Sequence, residues 1–380
     1  MTPTDETKTS ALKSHFDGAA ESNNRTGKFT LGYRPGLDGL RGLAILLVLI
    51  SHGFPRLGGS YGFVGVQVFF VLSGFLITSL LLEERASTGT IRLRAFYARR
   101  ALRLLPAVMA LLAVFVIYAA FTTDPYYRKS FFLEALGIQF YYANWGIIYE
   151  WFTAFPLGHA WSLAVEEQFY LIWPLLLVFL LRRCLRQTML KILIICIFLS
   201  WLERYLLFSG TEATWSRIAY GTDTRGEPLL IGCALALMLE SGMLPPGDQI
   251  KKFLARSSLI SLCGLVLIAI VVPLDSALLV YFGWTLLALF TVVLIRTLLS
   301  RQDGWVRTLF ESAAMVYLGR LSYSLYLWHN FVLQITHGFG LPRHQIIAIN
   351  LAAIALCTLA SYYLVERPFL RLKKRFQRLK

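Results

Sequence analysis

Apolar runs of up to about twenty residues recur ten times along this chain, and no other feature constrains its fold as strongly. They lie near residues 38–55, 62–82, 104–121, 161–181, 192–208, 227–240, 257–273, 279–299, 317–337 and 345–365. A helix needs roughly 17–25 such residues to cross the hydrocarbon of a bilayer, and most of the runs reach that length. Inside lipid, every backbone N–H and C=O needs a protein partner, which leaves helices or closed barrels. Runs this long select helices. Composition agrees: of 380 residues, 56% are apolar and 16% charged, against about 25% charged in a soluble protein. The expectation is an all-α polytopic membrane protein of about ten transmembrane helices, with one membrane domain over 34–369. The run at 227–240 is short. Residues 122–160 form a long connection rich in Tyr and Trp, a pattern of interfacial anchors or of a re-entrant segment.

Residues 1–33 are polar and lack the 7–15-residue apolar core of a secretory signal; they read as a disordered cytoplasmic tail, and 370–380 as a second, basic one. With the N-terminus inside, 30 of the 37 Lys and Arg residues fall on the cytoplasmic side. The exterior keeps only Arg56, Arg128, Lys129, Arg204, Arg217, Arg225 and Arg343. This bias puts both termini in the cytoplasm and the chain in the cytoplasmic (inner) membrane. The net charge of +15 follows from basic loops beside an anionic leaflet, without a nucleic-acid partner. The five cysteines, at 184, 196, 233, 263 and 357, include no CxxC pair, so neither a disulfide framework nor a metal site is expected.

Ionisable residues within apolar segments are expensive and point to function. In "LDGLRGLAILLVLISHGF", Arg41 and His52 are eleven residues apart. Helical geometry sets them on one face, about 16 Å apart, with Arg41 near the cytoplasmic boundary and His52 near mid-membrane. Asp38 caps this helix or pairs with Arg41. The next span holds Gly62, Gly65, Ser73 and Gly74, small residues that permit close helix approach; Ser73 as a nucleophile needs an adjacent base. Arg99, Arg100 and Arg103 stand at i, i+1 and i+4, a pattern that suits lipid headgroups or a phosphate clamp. In "HAWSLAVEEQFYLIWP", Ser162, Glu166, Tyr170 and Trp173 share a stripe. That makes Glu166 the inward-facing carboxylate and turns Glu167 toward another helix or the external interface. Side chains at i and i+1 diverge, which argues against a paired-carboxylate glycosidase. On the exterior side, Asp223 and Arg225 read as a pair bracing a loop. His329 reads as a packed, hydrogen-bonded residue or a site residue, and His159 as an interfacial residue at the outer start of the fourth span. His15, His337 and His344 carry no functional weight.

Seven stretches, "GLDGLRGLAILLVLISH", "GVQVFFVLSGFLIT", "FYARRALRLLPA", "HAWSLAVEEQFYLIWP", "TDTRGEPLLIGCALA", "LGRLSYSLYLWHNF" and "VERPF", run in order over about residues 36–369. Together they resemble the acyltransferase 3 family of membrane proteins, whose members O-acylate cell-envelope carbohydrates. The resemblance implies an acyl-CoA donor, usually acetyl-CoA, as co-substrate with no tightly bound cofactor, and an envelope glycan or lipid-linked sugar as acceptor. It puts weight on Arg41 and His52 (the Arg/Lys-x10-His pattern), on Arg99, Arg100 and Arg103, and on Glu166. In that scheme the arginines hold the phosphates of acyl-CoA and His52 is the general base. Glu166 orients a catalytic group or meets the acceptor. Asp38, Ser73, His159, Trp161, Ser162, Asp223, Arg225 and His329 stand as acceptor-binding or supporting residues. Transfer is direct, with a covalent acyl-enzyme relay as the variant. Some family members carry a fused extracytoplasmic hydrolase-like domain, for which this chain leaves no room. The competing reading is a transporter or flippase of acyl groups or lipid-linked sugars, because buried His, Arg and Glu also line ion-coupled pathways.

Overall fold

The computed structural model describes residues 30–121, 124–153, 155–209, 211–247, 249–300, 304–336 and 340–373. Most of the two expected tails, with His15, and His337 lie outside the described residues. Those described form helices and connecting turns, with no strand among them.

In chain order the helices are α1 (Pro35–Gly53), α2 (Tyr61–Thr88), α3 (Leu93–Ala120), α4 (Pro125–Gln139), α5 (Ala143–Ile148), α6 (Trp161–Arg183), α7 (Arg186–Leu207), α8 (Glu212–Tyr220), α9 (Thr222–Arg225), α10 (Glu227–Glu240), α11 (Lys251–Val271), α12 (Trp284–Leu299), α13 (Trp305–Glu311), α14 (Ala313–Thr336), α15 (Arg343–Ala360) and α16 (Arg367–Lys373). A π turn at Leu279–Gly283 leads into α12, and a second at Ser361–Glu366 joins α15 to α16.

Among the described residues, seven segments are long and apolar enough to cross a membrane: Pro35–Gly53, Tyr61–Thr88, Leu93–Ala120, Gly158–Arg183, Lys251–Val271, Leu279–Leu299 and Arg343–Leu372. The other three expected runs also fold as helices but miss that standard for visible reasons. Helix α7 carries Arg186, Lys191, Glu203 and Arg204, and α14 carries Arg320, several serines, His329 and Asn330. Helix α10 has 14 residues, about 21 Å of rise, short of the roughly 30 Å of hydrocarbon. Much of α10 and α14 is buried, so their neighbours replace lipid as solvent. The chain is an all-α polytopic membrane protein.

The centre of the bundle is packed through glycine. Helices α2 and α10 cross where a β-carbon on Gly74 would overlap the carbonyl of Leu229, and one on Gly232 the carbonyl of Val71. Two helices of larger residues cannot approach this closely. Helix α1 ends at Gly53, since Pro55 follows and disfavours helical backbone at Phe54. His52 therefore lies in the last turn of α1, at the far end of that helix from Arg41. The aromatic connection folds into α4 and α5, and three hydrogen bonds tie down the loop after them. Ser130 Oγ accepts from the Thr153 amide at 2.8 Å, Glu134 accepts from the Leu157 amide at 3.0 Å, and Asn330 Nδ2 donates to the Pro156 carbonyl at 2.9 Å. The turn Gly158–Ala160 follows at once, so these bonds fix His159.

Overpacking at such a crossing costs about 1–3 kcal/mol. Gly74→Ala is expected to lower the thermal unfolding midpoint in detergent by several degrees. Gly53→Ala, where the added carbon meets nothing within 4 Å, should leave it unchanged; equal midpoints for the two variants would contradict the close crossing.

Candidate active site

A cavity of about 590 Å³ enters the bundle at its basic end. Glu84, Thr88 and Arg92 lie at its mouth, and it runs inward between α2, α3, α6 and α14 to Ser162 and Tyr326. Arg41, Arg99, Arg100 and Arg103 all line it, so the i, i+1, i+4 cluster on α3 does share one destination.

The four arginines are held differently. Arg99 pairs with Glu84 at 2.9 Å. Arg41 donates through Nε and Nη2 to Ser322 Oγ at 3.3 and 3.1 Å. Arg103 makes no hydrogen bond or ion pair with the described residues and faces the cavity. Arg100 is the most constrained. It pairs with Glu167 at 2.6 Å and lies 3.7 Å from Glu166, with its guanidinium carbon 3.3 Å from the centre of the Tyr170 ring.

The adjacent carboxylates thus have separate surroundings and a common cation. Glu167 is buried and faces α3, not the external interface. Glu166 points into the cavity, where it accepts a 2.5 Å hydrogen bond from Tyr170 Oη and a further one from Ser73 Oγ. Ser162, Glu166 and Tyr170 share the cavity wall. Trp173, the fourth member of their stripe, is buried deeper, with Nε1 donating to Thr78 Oγ1 at 2.9 Å. Asp38 neither caps α1 nor pairs with Arg41. It accepts from Tyr33 Oη at 3.0 Å and lies 3.9 Å from Arg320, while Arg41 points along the helix toward α14.

Beyond the inner end of the cavity, three histidines gather. The ring centroids of His52 and His329 are 4.9 Å apart, as are those of His159 and His329. The Val48 carbonyl lies 3.0 Å from His52 Nδ1. A carbonyl only accepts, so the proton sits on Nδ1 and Nε2 keeps its lone pair. The Leu325 and Tyr326 carbonyls, at 3.1 and 2.9 Å, set the same tautomer on His329. His329 and His159 are both buried; His159 is therefore not an interfacial residue, because the tied-down loop folds it under α14. None of the three histidines lines the cavity. Tyr326 stands between. Its hydroxyl donates to the His159 carbonyl at 2.7 Å and is 2.5 Å from Ser162 Oγ.

Asp223 and Arg225 do not pair. Arg217 reaches Asp223 instead, with bonds of 2.7 and 2.6 Å. Burial raises the Asp223 pKa, but the bonds from Arg217 and the Thr224 amide outweigh it and hold the carboxyl below its ordinary range. The turn through α9 swings Arg225 inward, where it is buried among the rings of Trp284 (4.1 Å), Phe63 (5.2 Å), Trp161 (5.4 Å) and Phe70 (5.8 Å). Nearby, the buried Arg204 forms an ion pair with Glu227, whose other oxygen accepts from Thr285 at 2.5 Å. Trp161 thereby belongs to an aromatic box that backs the site.

Ser322 and Tyr326 were not among the residues expected from sequence. Their signal was present: with His329 they stand at i, i+4 and i+7 on α14, one face of a helix. The Arg204–Glu227 pair and the Glu84 partner of Arg99 had no local signal, since each joins separate helices.

Residues 34–366 match the acyltransferase domain model of the acyltransferase 3 family, and the chain belongs to that family. It is 36% identical over 357 residues to a peptidoglycan O-acetyltransferase, OatA, of Listeria monocytogenes, covering 91% of this chain and 56% of that protein. It is 33% identical over 348 residues to an O-acetyltransferase, OatA, of Staphylococcus aureus, covering 88% of this chain and 57% of that one. The chain thus spans little more than half the length of these relatives. No solved structure matches it.

Breaking one side of a buried ion pair costs on the order of 3 kcal/mol, and a more exposed one about 1 kcal/mol or less. Glu167→Ala is expected to lower the unfolding midpoint well below that of Glu84→Ala in the same detergent. Equal losses would show that the Arg100–Glu167 contact does not hold α3 to α6.

Proposed function

We propose that this chain is an integral-membrane O-acyltransferase that moves an acetyl group from acyl-CoA, entering from the cytoplasm, to a hydroxyl of a cell-envelope carbohydrate on the other side. The family and the names of the relatives support O-acetyl transfer, and peptidoglycan is the acceptor class that one of those names supplies. The observation that carries the reading is an arginine-lined cavity that enters at the basic end and reaches Tyr326, whose ring also packs against a histidine cluster outside that cavity.

In this scheme Arg103 and Arg41 meet the phosphates and the polar arm of the donor, because guanidinium groups grip phosphate through paired hydrogen bonds. Arg99 joins them when a phosphate displaces Glu84. Arg100 is occupied by two carboxylates and a tyrosine ring, so its part is to set the cavity wall. Glu166 orients Ser73 and Tyr170 beside the thioester. His52, with Nε2 free to accept, takes the proton from the acceptor hydroxyl. The oxygen attacks the thioester carbonyl, the C–S bond breaks, and the thiolate leaves as CoA, protonated from the imidazolium. A base with a pKa near neutrality contributes roughly 10²–10⁴-fold to such a step.

Two measurements on protein reconstituted in liposomes test the assignment, with labelled acetyl-CoA and peptidoglycan fragments or other envelope glycans. His52→Ala is expected to lower kcat at least about 100-fold while the protein still accumulates in the membrane; full activity removes the base from the scheme. Arg103→Ala is expected to raise the KM for acetyl-CoA about tenfold with the acceptor KM unchanged. An unaltered donor KM rejects the phosphate contact.

A further inference from the structure

We propose that the ring of Tyr326 is the partition between the two halves of the site: it keeps the thioester in the arginine-lined cavity away from water on the histidine side. The inference rests on the reading above and adds a residue to it.

Four observations place the partition here. Tyr326 and Ser162 end the cavity, and they hydrogen-bond to each other. The other side of the same ring faces the histidines, with centroids 5.3 Å from His159 and 5.7 Å from His329. The ring is fixed at its tip, where one hydroxyl bridges Ser162 on α6 and the carbonyl of His159 in the preceding turn. Its flank meets Phe69 of α2 edge-on at 6.4 Å. One side chain thus touches the cavity, the histidine cluster and the loop that carries His159.

Chemistry gives the partition a purpose. A thioester in an open channel meets water before it meets a sugar hydroxyl, and excluding that water prevents hydrolysis. A phenol ring suits the task. It is large enough to close the gap, and its single hydroxyl holds it through two hydrogen bonds that a rotamer change releases. A serine at 162 completes the latch, which explains its position one turn before Glu166.

The test uses full-length protein with its five cysteines replaced and a Ser73→Cys reporter in the cavity wall, in vesicles of known orientation. A membrane-impermeant maleimide is applied to either face. With Tyr326 present, the reporter is expected to label only from the face bearing the basic loops. Tyr326→Ala is expected to label from both faces, and Tyr326→Phe, which keeps the ring, from one. Tyr326→Val carries the same test should the alanine variant fail to accumulate. Without the reporter, Tyr326→Ala is further expected to raise CoA release from acetyl-CoA in the absence of acceptor about tenfold, a gain that misfolding cannot produce. Labelling from both faces with Tyr326 intact, one-face labelling of Tyr326→Ala, or equal two-face labelling of the Phe and Ala variants would overturn the proposal. If unmodified protein releases no CoA with any acceptor, the acyl-CoA reading fails instead, and the labelling still decides the partition.

Discussion

One guanidinium shared by two carboxylates holds the site together. Arg100 rises from α3 into a gap where Glu167 is buried and Glu166 faces the cavity, and the Tyr170 ring covers its flat side. In a low-dielectric interior neither a lone arginine nor a lone glutamate is tolerable, and each makes the other affordable. The contact fixes the spacing of α3 and α6, and with it the width of the cavity. It also explains why the carboxylates are adjacent. Diverging by about 100°, one closes the ion pair and the other turns to Ser73 and Tyr170.

The same economy recurs on the other side of the molecule. Arg204 and Glu227 are both fully buried and paired, and Arg225 rests among aromatic rings whose faces carry negative charge density. These groups pin α7, α9 and α10 against α12 behind Trp161. Charge here is structural. At the cavity, by contrast, Arg103 has no carboxylate partner among the described residues, and Arg41 is held by a neutral serine and the Phe69 ring, which leaves positive charge unneutralised there. The contrast separates arginines that build the bundle from arginines that serve it.

Under the proposed function, donor and acceptor approach one boundary from opposite ends. The arginine cavity stops at Tyr326, and the histidines begin on the far face of the same ring. A site divided in this way suits a reaction whose substrates come from different compartments, since neither has to cross the membrane whole. The glycine crossing of α2 and α10 keeps the short α10 tight against α2, which also carries Ser73.

Local periodicity was enough to establish the helical class, most of the spans, the common destination of Arg99, Arg100 and Arg103, and the inward turn of Glu166. All of these depend on residues within a few turns of one another, where 3.6-residue geometry is reliable. The exact end of α1 was not legible in the apolar run, because Pro55 sets it. The partners of Asp38, Glu167, Asp223 and Arg225 were also beyond reach, as was the burial of His159. Asp38 meets Arg320 across almost the whole chain, and Arg225 is turned inward by a four-residue helix. Which helix lies beside which was decided only by tertiary packing, through glycine crossings and buried ion pairs between segments remote in sequence. For that reason the arginines were legible as a cluster from the sequence, while the gathering of three histidines behind Tyr326 emerged only from the fold.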